Sequence, residues 1–224
     1  MRGEELQVVE EEKDIGILIP VHKSLKPSKN CERAAAVAGT VLRQVTKNFH
    51  YRDKHVFKKL YCQYVRPHLE FSTPAWSPWL EADIEVLEKV QKRAVGMVKG
   101  LRGRTYEEKC RELELDTLVV RRERADLIQV YKILNGLDQV DEKTLFTRVD
   151  SREENSRVTR QRTDPLNLQQ TRSRLDLRKY SFASRIVNPW NKLSKELKSA
   201  STLGQFKTSI KNLSRRPVVG AAAE

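Results

Sequence analysis

The apolar positions of this chain change period along its length, and each change predicts a different kind of element. Near the N-terminus, Val8-Val9 and the run from Ile15 to Ile19 flank an acidic stretch, with Gly16 inside the second run. Branched side chains on either side of a turn predict a small β-hairpin, and a two-stranded hairpin must lean on something else to persist. From Pro27-Ser28 the period lengthens to that of a helix, with Ser28 as the expected N-cap, running through "CERAAAVAGTVLRQVTKNF" to about Asn48. Ala34, Ala35, Ala36, Ala38 and Gly39 strip bulk from two turns of it, so a neighbour approaches closely there, either another helix or a nucleic-acid backbone.

Asp53 is the expected cap of a second helix, with Val56, Phe57, Leu60, Tyr61, Tyr64 and Val65 as one apolar stripe. Pro67 cannot donate to the carbonyl four residues back, so this helix should kink or stop near Arg66. Phe71, Trp76 and Trp79 then occupy a charge-poor loop with Pro74 and Pro78; the aromatic rings are read as wedges between helices, with direct base contact as the alternative. A third helix is expected from about Glu81 to Lys99, with Ile84, Leu87, Val90, Ala94 and Met97 inward and Gly100 as its terminating turn. Thr105 with Glu108 forms a capping box for a short fourth helix. A fifth carries Leu118, Ala125, Ile128, Tyr131 and Leu134 on one side and ends at Asn135-Gly136.

Periodicity then lapses from Thr147 to about Thr171, a polar, arginine-rich stretch. It returns with Phe182, Ile186, Trp190 and Leu193 on a helix that Pro189 must bend or interrupt, and again with Leu203, Phe206, Ile210 and Leu213 behind a Thr202/Gln205 capping box. The fold class is therefore mainly α. A small N-terminal hairpin (1–27) precedes an antiparallel helical bundle (28–146), a basic polar linker (147–171), a second small helical unit (172–214) and a frayed tail (215–224).

Composition narrows the function classes. Apolar residues at 38% and charged residues at 33% describe a thin core under a wide polar surface. The longest stretch without Lys, Arg, Asp or Glu, Phe71 to Leu80, is far too short to cross a bilayer, so no membrane partner is expected. The opening "MRGEELQVVEEEKD" is acidic where a secretory signal is basic and then apolar, and Cys31, Cys62 and Cys110 lack the close pairing of a zinc site. They are read as reduced thiols of an intracellular protein, nuclear or cytoplasmic. The formal net charge of +13 is uneven: from Arg172 to Arg216 twelve Lys or Arg face two acids, Asp176 and Glu196. A positive field localised in this way suggests a polyanionic partner.

Catalytic patterns are missing from the string. There is no Asp-Asp pair for two metal ions, no Gly-rich phosphate loop ending in Lys-Ser/Thr, and no nucleophile elbow, so no catalytic residue, metal or cofactor is expected. Two basic features remain. "GLRGRT" places Arg102 and Arg104 just before a capped helix, where free amides favour a phosphate, although a plain turn with solvated arginines has the same look. "TRSRLDLRKYSFASR" mixes Arg172, Arg174, Arg178, Lys179 and Arg185 with Tyr180 and Phe182. The cations suit phosphate contacts and Tyr180 suits base stacking; the rival reading makes the rings core and the charges a wet face.

The same residues carry a resemblance. "KDIGILI" (13–19), "LYCQYVRPHLEFSTPAWSPW" (60–79), "DIEVLEKVQKRAVGMVKGLRGRTYEEKCRELEL" (83–115) and "RRERADLIQVYKILNG" (121–136) resemble, in order, the downstream part of reverse transcriptases of non-LTR retrotransposons, of the jockey-like lineage that includes the chicken-repeat elements. "SRLDLRKYSFASRIVNPWNKLSKELKSASTLGQFK" (173–207) resembles the C-terminal segment of the same polyproteins. The resemblance implies a hairpin from the end of the palm, then a thumb and a C-terminal segment, with the family's catalytic Asp-Asp box upstream of Met1. It implies a non-catalytic fragment that contacts template–primer or element RNA, and an upstream palm domain as a possible partner. A repurposed helical protein-interaction module and a decayed reading frame are the rival expectations.

Overall fold

A two-residue turn at Ile15-Gly16 folds β1 (Glu11–Asp14) back onto β2 (Ile17–Pro20) in the computed structural model, which describes residues 11–20, 26–51, 53–149 and 164–214. The strands are antiparallel, with Asp14 opposite Ile17 and Glu11 opposite Pro20. The acidic stretch expected to form the turn is therefore itself a strand; the Val8-Val9 run lies outside the described residues. Gly16 decides the register, because its φ of +86° suits a tight hairpin turn that branched residues resist. Ile15 is nonetheless held at φ +44°, a strained setting for a β-branched side chain.

The hairpin leans on α1 (Ser28–Asn48) through two side chains. Asn30 accepts from the Leu18 amide at 2.8 Å and donates to the Leu18 carbonyl at 2.6 Å, while Arg33 donates to the Gly16 carbonyl at 3.0 Å. Asn30→Ala is expected to strip Leu18 of both bonds, cost the first unit about 1–3 kcal/mol and abolish slow hydrogen exchange at the Leu18 amide. Retained protection at that amide would show that the hairpin is held otherwise.

α1 begins one residue earlier than a Ser28 cap would give: Pro27 is the N-cap, and Ser28 instead donates its hydroxyl to Asp83 at 2.8 Å. It packs along α5 (Glu81–Gly96), burying Cys31, Ala38, Leu42 and Val45. The close neighbour expected at the small residues is thus a helix. Gly39 has no part in it, since a Cβ added there would meet nothing within 4 Å.

Pro67 does not end the second helix. α2 (Lys54–Leu60) passes through a π-helical segment, Tyr61–Val65, into α3 (Arg66–Glu70), and the Arg66 amide reaches the Tyr61 carbonyl five residues back. The wider turn before Pro67 replaces the ordinary ladder at the point where the ring would clash with it. Phe57, Tyr61, Val65 and Leu69 make the buried stripe. Tyr64, expected inward, is 54% exposed, and Val56 is exposed too. Left-handed Ser72 then leads into α4 (Thr73–Trp76); Trp76 is buried and its indole donates to the Phe71 carbonyl at 2.8 Å, whereas Phe71 is 55% exposed, its ring beside Gly16 of the hairpin.

α5 ends at Gly96, short of Lys99. Its buried face carries Gln91, wholly enclosed, which accepts from the Tyr61 hydroxyl at 2.7 Å and donates to the Tyr106 hydroxyl at 2.8 Å and the Asp116 carbonyl at 3.1 Å. Tyr106 in turn donates to Glu88 at 2.6 Å, and Glu88 accepts the Val119 amide at 3.0 Å. Burial and the neighbouring Glu88 raise the Tyr106 hydroxyl far above its ordinary value, so that hydroxyl keeps its proton and its bond to Glu88. The expected capping box opens α6 (Tyr106–Glu112).

The chain divides into two units, Met1–Val119 and Val120–Glu224, ahead of the boundary at residue 147 that composition suggests. The reason lies in α7 (Leu118–Leu134): Leu127, Val130, Tyr131 and Ile133 share a core with Ile186, Trp190, Phe206 and Ile210. The Tyr131 and Phe206 rings stack at 4.3 Å, and the Tyr131 hydroxyl donates to the Ala200 carbonyl at 2.6 Å. After α8 (Glu142–Leu145), the described ends of the expected linker form an antiparallel bridge between Arg148 and Leu168. Short helices follow, α9 (Asp176–Lys179), α10 (Phe182–Arg185), α11 (Val187–Asn191) and α12 (Lys195–Lys198), and then α13 (Leu203–Ser214). The tail from 215 lies outside the described residues.

Asn191 treats Leu168 as Asn30 treats Leu18, accepting its amide and donating to its carbonyl, both at 2.9 Å. The Trp190 indole donates to the Leu166 carbonyl at 2.9 Å. Lys198, its side chain 1% exposed, reaches Asp164 at 3.0 Å and Asn167 at 2.6 Å. No helix among the described residues is long and apolar enough to cross a membrane.

Candidate nucleic-acid interface

The basic stretch of the second unit separates into three roles. Arg172, Arg174, Arg178 and Lys179 are exposed, and none forms an ion pair among the described residues. α9 supplies the last two from a single turn, beside exposed Asp176. Tyr180 is half-buried, with the Lys179 ammonium 5.0 Å from the centre of its ring, so part of that face is already taken by the chain's own cation.

Arg185 has a different task, which corrects its reading as a phosphate ligand. Its Nε and Nη2 donate to the two Asp126 oxygens at 2.8 and 3.0 Å, and its Nη1 donates to the Tyr180 carbonyl at 3.1 Å. The pair is buried, with side chains 18% and 6% exposed. Burial pushes the Asp126 carboxyl up from its ordinary range, against the pull of the guanidinium. Arg185 thereby ties the turn after α9 to α7 and leaves no fork for a ligand. Phe182 beneath it packs edge-on to Phe146 at 5.9 Å and is a core ring.

In the first unit, the loop before α6 offers less than its spelling suggests. Gly100 and Gly103 take positive φ around Arg102, which is exposed. Arg104, also exposed, pairs with Glu112 at 3.0 Å, and the same carboxylate holds Lys54. Lys54 first, and then Arg104, keep the Glu112 carboxyl below its usual range. The first turn of this seven-residue helix carries Glu107 and Glu108, and the Glu108 carboxylate accepts the Thr105 amide at 2.8 Å. The chain's own Glu108 thus takes an amide that a phosphate would otherwise meet.

Five further exposed cations of the second unit lie outside the sequence-based set, Lys143, Lys192, Lys195, Lys207 and Lys211, and Arg148 is exposed beside its partner Glu142. Their signal was present in the string, since Lys207 and Lys211 stand four apart on the helix whose other face is Phe206 and Ile210. Lys198, of similar appearance, is instead the buried partner of Asp164. No group of three or more His, Cys, Asp or Glu able to hold a metal occurs among the described residues. Comparison with family models, with curated proteins and with solved structures gave no match to this chain.

Proposed function

We propose that the chain is a non-catalytic, nucleic-acid-binding fragment of a non-LTR retrotransposon reverse transcriptase that contacts template–primer or element RNA through phosphates. An upstream palm as partner and residence in nucleus or cytoplasm belong to the same proposal. The observation that carries it is the exposed run Arg172, Arg174, Arg178 and Lys179, free of acid partners among the described residues. Such a run releases counterions when it meets a phosphate chain, and a half-buried tyrosine beside it offers one stacking face.

Filter binding of a single-stranded RNA across a salt series tests this. Affinity is expected to fall steeply with salt, and replacing all four cations by alanine to flatten the log–log slope by about 3. Arg102→Ala should change the slope by less than about 1. A slope indifferent to the fourfold replacement would remove the reading.

A further inference from the structure

Leu175, the residue ahead of α9, breaks two local rules at once. It stands at the N-cap, where Ser, Asp or Asn would bond a free amide and leucine is among the poorest choices, and it makes no side-chain cap bond. Nor does it pack: at 71% exposure it is the most open leucine among the described residues. A side chain that neither caps nor packs adds nothing to the fold, and conflicts of this kind gather at functional sites. Its neighbours are the cations already described. The Leu175 carbonyl accepts the Arg178 amide at 3.1 Å and the Lys179 amide at 3.0 Å, and residues three and four apart on such a turn lie side by side. Arg174 precedes it directly, and Asp176 is the one acid between Arg172 and Lys179.

We propose that Leu175 is a wedge, which enters between adjacent bases of the strand whose phosphates meet Arg178 and Lys179 and unstacks them. This rests on the phosphate-binding reading above and narrows its substrate to a strand with unpaired, loosely stacked bases. Phosphates alone give an exposed leucine nothing, whereas an apolar side chain between two base faces leaves water. Leucine is among the side chains that open base steps in this way. Opening a step costs least where no base pairs hold it, so the wedge serves an unpaired strand and is idle on a continuous duplex. A lipid surface is the poorer occupant, because lying in a membrane interface takes an apolar face sustained along a helix, and α9 has four residues.

The test uses the full chain and a short single-stranded RNA carrying aminopurine, an adenine analogue that brightens when its neighbours unstack; the same strand annealed to its complement is the control. Wild type is expected to brighten the single strand and to leave the duplex dark. Leu175→Ser supplies the missing cap, so it should keep the wild-type circular dichroism and thermal stability or improve on the latter, which separates loss of the wedge from loss of fold. It should abolish the brightening and weaken single-strand binding about three- to tenfold, with less than about a twofold change on the duplex. The salt slope, set by the cations, should not move in this variant. Leu175→Phe, which keeps an apolar wedge, should retain the brightening. Brightening that persists in Leu175→Ser, or equal losses on single strand and duplex, would overturn the wedge while leaving the phosphate reading in place. A salt slope unmoved by replacing the four cations would remove that reading, and the wedge with it. Retention on vesicles of phosphatidylserine that needs Leu175, with RNA binding indifferent to it, would assign the leucine to a lipid surface and likewise overturn the proposal.

Discussion

Lys198→Met is expected to destabilise the second unit by about 3 kcal/mol, near the lower end for removing one partner of a buried pair, because Asp164 keeps some access to water. Methionine fills the space of the lysine stem but donates nothing to Asp164 or Asn167, which the ammonium reaches at 3.0 and 2.6 Å. The segment from Asp164 to Leu168 then loses one of its three holds on α11 and α12, the others being Trp190 to Leu166 and Asn191 to Leu168. Urea unfolding followed through the buried Trp190 reads the effect, and a change below about 1 kcal/mol would show that the charge is not what holds the segment. The pair also has a defined acid limit. Burial opposes ionisation of Asp164, but the Leu166 amide and Lys198 outweigh it and hold the carboxyl below its usual range. Its contribution is therefore full above an unfolded value of about 3.9 and is lost as pH falls through the folded one.

Arg185→Ala is the second large effect, expected at about 3–5 kcal/mol, since it strands Asp126 in the core without its bidentate partner. The sign of the pH dependence separates this from a lost surface charge. Burial raises the Asp126 carboxyl, so its folded form favours the proton; removing the guanidinium leaves that tendency unopposed. Stability of the variant should accordingly rise as pH falls toward the unfolded carboxyl value, the reverse of the Asp164 pair. Replacing both partners, Arg185→Met with Asp126→Leu, should recover most of the loss. Comparable instability in the single and the double variant would assign the effect to packing rather than to charge. RNA affinity measured on whatever fraction remains folded should keep its salt slope.

What the string revealed and what it hid follow from range. Capping by Thr105 and Glu108, the approximate limits of α1 and the inward faces of Trp190, Phe206 and Ile210 depend on residues within a turn or two of one another, and periodicity reads them directly. Arg185 and Asp126 lie 59 positions apart, and Lys198 and Asp164 lie 34 apart. Nothing local distinguishes those two cations from Arg178 or Lys195, so a charge count placed all of them on one surface. Tyr64 failed for a subtler reason: a stripe assumed at uniform helical pitch does not survive the π-helical segment that contains it. The buried Gln91 gave no warning either, because an amide between apolar neighbours reads as the edge of a stripe until its partners from the π-helical segment, α6 and the following loop are in view.

The bridge between Arg148 and Leu168, with the Val149 amide on the Asn167 carbonyl at 3.0 Å and the Gln169 amide on the Thr147 carbonyl at 2.8 Å, fastens both ends of the interval between them. Once two ends are pinned side by side, the length of chain joining them enters stability only through closure entropy, and doubling it costs roughly 0.6 kcal/mol. What positions the segment of Leu166 against Trp190 is thus the pinned pair of ends, Thr147 to Val149 beside Asn167 to Gln169, and opening the bridge is what would release it.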